Sequence, residues 1–131
     1  MSFQDKLEKF RLLSPIPNPS KIICLTFNYP NHAKEQNLES PKDPVIFFKP
    51  RTSLCGTESE IKCPKFVKKL DYEIELAVII GNTCKNIDES QSKEYTFGYM
   101  TFNDVSARDI QMHDKQFTRG KSFDTFAPSG P

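Results

Sequence analysis

Short apolar runs and one stretch of period-two alternation, each bounded by turn formers, mark this chain as rich in β-strands rather than helices. Lys21 to Phe27 is apolar and rich in β-branched residues, and Asn28-Tyr29-Pro30 ends it. Val45-Ile46-Phe47-Phe48 predicts a second strand, closed by Lys49-Pro50. Residues 51–69 are rich in turn formers, with short strands expected around Ser53-Leu54 and Ile61. Asp71 to Ile80 is the clearest strand, stopped by Gly81-Asn82, and Gly98 to Asn103 predicts another. Helical spacing is confined to short stretches: Phe3, Leu7, Phe10 and Leu13 at the start, one or two turns over 30–36, Asp88 to Tyr95, and Val105 to His113. Arg119 to Phe126 reads as loop plus strand. Ser14 to Ser20 carries prolines at 15, 17 and 19 and reads as an extended lead-in. Strands dominate, helices are short and no internal repeat is present, so the expectation is an α+β, mainly β domain rather than alternating βαβ units.

Composition narrows the function classes. The chain has 131 residues, enough for one core and not two, with 11 Phe and 4 Tyr supplying large apolar groups in the absence of Trp. Eighteen basic residues against 17 acidic ones leave a net charge of +1, which removes the broad electrostatic case for nucleic acid. No apolar run approaches the roughly 20 residues of a membrane span. The first eight residues carry acids and no apolar stretch, unlike a signal peptide. The cysteines at 24, 55, 63 and 84 lack zinc-site spacing. Cys24, inside Ile22-Ile23-Cys24-Leu25, reads as a buried thiol, and free thiols in a reducing cytoplasm are expected.

Candidate chemistry centres on two acidic stretches. Along 71–80, Tyr72, Ile74, Leu76, Val78 and Ile80 share one face, and Asp71, Glu73, Glu75, Ala77 and Ile79 share the other. Neighbouring acids on one face, about 7 Å apart, repel, and a divalent cation would relieve that repulsion. Hard oxygen donors in this number suit magnesium, manganese or calcium rather than zinc. The plainer reading is a solvated strand face kept polar for solubility. Asp104, where strand passes to predicted helix, offers a further carboxylate or serves simply as a helix N-cap. Arg108 and Gln111, three apart, share a helix face on which Arg108 either clamps a substrate carboxylate or forms an ordinary surface ion pair.

Leu70 to Gly81, Asn103 to Asp109, Arg119 to Pro128, and Asn28-Tyr29 followed by His32-Ala33 and Glu35, together resemble the ordered signatures of the fumarylacetoacetate hydrolase (FAH) family. Pro44 to Pro50 fits between them, and the resemblance runs from about residue 12 onward. It implies a mixed β-sandwich roll, a homodimer when full length, one bound Mg2+ or Mn2+, and a small-molecule 2-oxo acid or 1,3-diketone as substrate. The activities implied are C–C bond hydrolysis of the acylpyruvate or fumarylacetoacetate type, oxaloacetate-type decarboxylation, and isomerisation of 2-hydroxyhepta-2,4-diene-1,7-dioate. An inactive metal-binding remnant is the further alternative. By resemblance Glu73, Glu75 and Asp104 are metal ligands, Arg108 and Gln111 contact substrate, and Lys121 is the active-site lysine. His32 and Glu35 resemble a catalytic dyad, and their i,i+3 spacing would place them side by side on one helical turn. Residues 1–20 then form a lead-in and 21–131 the N-terminal part of the catalytic domain. Two departures stand out. Leu25-Thr26-Phe27 replaces a small, glycine-containing step, so that Phe27 is expected to narrow the approach to the site. The sequence also stops before several further strands that members possess. The fold is therefore expected to be incomplete at its C-terminus, and the chain alone poorly folded or inactive.

Overall fold

The computed structural model describes residues 12–29 and 41–130. Residues 1–11 and 30–36 of the expected short helices lie outside those residues, and residues 12 and 13 are not helical. The architecture is α+β with strands in the majority. Strand β1 (Ile22–Thr26) pairs antiparallel with β2 (Val45–Lys49), Cys24 opposite Phe47. A four-stranded sheet has the order β3 (Leu54–Gly56), β8 (Ala127–Gly130), β6 (Thr96–Asn103), β5 (Ile74–Ile80), with β3 and β8 parallel and the other pairs antiparallel. Two short strands, β4 (Leu70–Asp71) and β7 (Ser106–Ala107), form a separate antiparallel pair. The helices are α1 (Ser92–Tyr95), α2 (Arg108–Asp114) and α3 (Phe117–Gly120).

Three departures from the sequence pattern matter for the site. The expected strand 71–80 breaks at Tyr72-Glu73, because β4 pairs with β7 whereas β5 pairs with β6. At the crossing the Asn103 side chain replaces a ladder partner, accepting from the Glu73 amide at 3.2 Å, and the Asp104 amide donates to the Glu73 carbonyl at 2.9 Å. Secondly, β7 intervenes where a helix from Val105 was expected, and α2 starts only at Arg108 with Ala107 as its N-cap. Asp104 is therefore not the cap of that helix, nor does it share the helix with Arg108. Thirdly, Arg119 and Gly120 belong to α3, and the last strand begins at Ala127; no strand forms at Ile61. The expected helix 88–95 is a 3-10 turn (Glu89–Gln91), boxed by reciprocal Asp88 and Gln91 contacts, running into α1.

The core is small. Val105, Ala107, Ile110 and Phe126 are buried together, with Val67 and Phe123 packed against them. This cluster sits directly beneath the turn that carries Asp104. On β5 the apolar face is the exposed one: Ile74, Leu76, Val78 and Ile80 face outward, while Glu75, Ala77 and Ile79 are half-buried. Tyr72, Phe97 and Tyr99 are likewise exposed. The acids of this strand thus lie on the inward side, the reverse of a solubilising face.

Candidate metal centre

Glu73, at the crossing between β4 and β5, and Glu75, at the start of β5, point to the same side as Asp104, which follows β6. One carboxylate oxygen from each lies within 4.8 Å of the others. Local bonding explains the convergence. Glu73 and Asp104 are joined through the backbone, Ser106 Oγ donates to the Asp104 carbonyl at 3.0 Å, and the Val105 amide donates to the Phe126 carbonyl at 3.2 Å. The 103–106 turn is therefore tied to two strands and to the core, and Asp104 is only 1% exposed.

Cations surround the acids. Lys121 Nζ donates to Glu73 Oε2 at 2.6 Å and to Asp104 Oδ2 at 2.5 Å. Arg108 donates to Glu73 Oε1 at 2.6 Å, to Asp71 Oδ2 at 2.9 Å and to Gln111 Oε1 at 3.2 Å. Glu75 accepts no hydrogen bond from a described residue. Its environment acts accordingly: burial, then the charges of Asp104 and Glu73, push its pKa up to about 7, against the weaker pull of Lys121 and Lys49. Burial also acts to raise Glu73, but Lys121 and then Arg108 outweigh it and hold that carboxyl at about 2. The Cys24 thiol is pushed up to about 12 by burial first and by Asp104 second, so it stays a thiol at neutral pH.

Glu73, Glu75, Asp104, Arg108 and Lys121 line a cavity of about 270 Å³, which Gln111 also faces. Its apolar wall is built from three phenylalanines: Phe117 meets Phe27 edge-on at 6.4 Å and Phe47 at 5.9 Å. Lys121 Nζ lies 5.1 Å above the Phe47 ring. Phe27 has φ of 54°, a left-handed conformation uncommon for a bulky residue and natural for glycine. Its ring stands at the wall of the cavity, where the sequence placed a narrowing.

The structure thus brings Glu73, Glu75, Asp104, Arg108, Gln111 and Lys121 together. His32 and Glu35 lie outside the described residues. Asp71, on the same predicted face as the two glutamates, pairs with Arg108 and stays out of the triad. Lys49 escaped the sequence reading. Its signal was a lysine two residues after Phe47 in an apolar strand, a position that alternation turns inward. Its side chain is fully buried, with Nζ 2.5 Å from Asp104 Oδ1. Burial lowers its pKa while Asp104 opposes that shift. Cys24 is a buried thiol and Cys63 and Cys84 are exposed ones; Cys55 is buried.

This mainly β fold has known counterparts. Residues 21–131 match the family described as Fumarylacetoacetate (FAA) hydrolase C-terminal. The chain belongs to the fumarylacetoacetate hydrolase family. Among its relatives, a Methanocaldococcus jannaschii protein, MJ1656, is 51% identical over 113 residues, which is 86% of this chain and 48% of that protein. The mitochondrial oxaloacetate tautomerase of Xenopus laevis is 48% identical over 122 residues, 92% of this chain and 38% of its own length. The crystal structure of 2-hydroxyhepta-2,4-diene-1,7-dioate isomerase from Mycobacterium marinum superposes with a TM-score of 0.81 at 42% identity, covering 95% of this chain and 45% of that one. The chain spans about half or less of the length of the curated relatives named here. Among the described residues no helix is long and apolar enough to cross a membrane.

Proposed function

We propose that this chain carries the metal-binding part of an enzyme acting on a 2-oxo acid or 1,3-diketone. One observation carries the reading: three carboxylates converge on one side of the sheet, and one of them, Glu75, has no hydrogen-bonding cation of its own among the described residues. Among the described residues in and next to the triad, Asp71, Glu73, Glu75 and Asp104 stand against Lys49, Lys121 and Arg108, one more acid than base. A group of hard oxygens with uncompensated charge fits Mg2+ or Mn2+. Glu73, Glu75 and Asp104 would hold the ion, which would supply Lewis acidity towards the carboxylate and adjacent keto oxygens of a 2-oxo acid.

The protein's own residues account for the rest. Arg108 presents a planar fork to a ligand carboxylate, and Gln111, buried beside it, orients both partners. Lys121, only 3% exposed, places positive charge where enolate character develops, in a site poor in water. Phe27, Phe47 and Phe117 exclude water from the apolar side of the ligand. By family resemblance His32 is the general base and Glu35 its orienting partner. Hydrolysis of a C–C bond, the reaction in the family's name, is our first reading. A proton-transfer reaction, tautomerisation or isomerisation, is the second, favoured by the activities for which the Xenopus laevis and Mycobacterium marinum relatives are named.

The test is Mn2+ titration by calorimetry, with and without oxalate as a mimic of a 2-oxo-acid enolate, for the wild type and Glu73→Gln. Binding that oxalate tightens and Glu73→Gln abolishes is the expected result. A folded protein that binds no divalent ion contradicts the proposal.

A further inference from the structure

We propose that Lys49 is a positioning residue of this centre, clamping Asp104 from behind so that its second oxygen faces the acidic cluster. The inference rests on reading Glu73, Glu75 and Asp104 as metal ligands. Lys49 Nζ donates to Asp104 Oδ1 at 2.5 Å and to the Val105 carbonyl at 3.2 Å. It therefore grips both the side chain of Asp104 and the peptide that follows it. The opposite oxygen, Oδ2, is the one turned towards Lys121 and Glu73.

The two lysines on Asp104 differ in kind. Lys121 lines the cavity and is shared with Glu73. Lys49 is 2% exposed, lies outside the cavity lining and so cannot touch a ligand there. It arrives from the end of β2, where alternation buries Phe47 and Lys49 on the same side and Pro50 then ends the strand. An ammonium in an apolar strand is costly, and a hydrophobic residue of similar volume would serve packing as well or better. The cost is explained if Asp104, itself almost wholly buried, must remain a carboxylate in one orientation.

The test compares wild type with Lys49→Met in the full-length protein, by Mn2+ titration and by thermal melting in chelator. Methionine keeps the length of the side chain and removes the charge. Charge alone predicts tighter Mn2+ binding in the variant, because a cation has left the neighbourhood of the ion. Positioning predicts the opposite, a loss of about 10–100-fold in affinity. A folded Lys49→Met protein that binds Mn2+ as tightly as wild type, or more tightly, overturns the positioning role alone. Absence of Mn2+ binding by the folded wild type overturns the metal-centre reading and this inference with it. If Lys49→Met does not fold, Lys49→Met with Asp104→Asn decides. Recovery of a cooperative melt in the double variant means that the ammonium serves Asp104, as proposed. Continued failure to fold means that Lys49 serves packing elsewhere, and the proposal falls.

Discussion

Replacing Glu75 by Gln should stabilise the metal-free protein above neutral pH. In the folded chain the Glu75 carboxyl sits at about 7, against an ordinary value of 4.5, chiefly because burial opposes its charge and Asp104 and Glu73 add repulsion. Folding therefore favours the protonated form. The stabilising contribution is complete below pH 4.5 and is lost as pH rises through about 7. The full interval of pKa corresponds to about 3 kcal/mol. The side chain keeps partial contact with water, so we discount this to about 1–2 kcal/mol. Urea unfolding of full-length wild type and Glu75→Gln in chelator, at pH 4.5 and 8.5, measures it. The variant should gain about 1–2 kcal/mol over wild type at pH 8.5 and be near wild type at pH 4.5. Added Mn2+ should invert the order, because an ion that binds only the folded wild type stabilises it and leaves the variant unchanged. A Glu75→Gln protein less stable than wild type at pH 8.5 in chelator would refute the reasoning, since it would mean that Lys121 and Lys49 more than compensate the carboxylate.

Further outcomes are expected elsewhere. A Cβ on Gly120 would lie 2.9 Å from the Gln111 amide nitrogen and 3.1 Å from the Ala107 carbonyl oxygen, both backbone atoms. Gly120→Ala should therefore cost about 1–3 kcal/mol in a melt and loosen oxalate binding through Gln111. Phe27→Gly removes a ring from the cavity wall and suits the left-handed backbone. It should leave Mn2+ binding intact while admitting 2-oxo acids with bulkier substituents in an inhibition series; an unchanged size limit would remove Phe27 from the wall's selectivity. The outward face of β5 and β6 exposes Ile74, Leu76, Val78, Ile80, Phe97 and Tyr99 together. The 131-residue chain alone should self-associate, and Val78→Lys with Phe97→Lys should reduce that association in light scattering; a monodisperse monomer without substitution would contradict this.

The sequence by itself was enough for the mainly β class and, to within a few residues, for the strands at 22–26, 45–49, 74–80 and 96–103, because short apolar runs bounded by turn formers and, on 71–80, period-two alternation are local properties of the chain. Through ordered motifs it also supplied the family and six of the side chains that meet at the cavity. What it left open was direction and partnership. Alternation on β5 separates acids from apolar groups but does not say which face turns inward. That depends on what lies across the sheet, and here the acids face the turn that carries Asp104. The break at Tyr72-Glu73 was invisible for the same reason: strand pairing is non-local, and β4 and β5 answer to different partners, β7 and β6, further along the chain. Asp104 read as a helix cap because the cue is a short polar residue before an apolar run, and only the pairing of β7 with β4 moves the helix start to Arg108. Lys49 is the extreme case. In sequence it is a charged residue ending a strand. In the fold it is a buried ammonium, because Asp104, 55 positions further along the chain, is brought to within 2.5 Å of it.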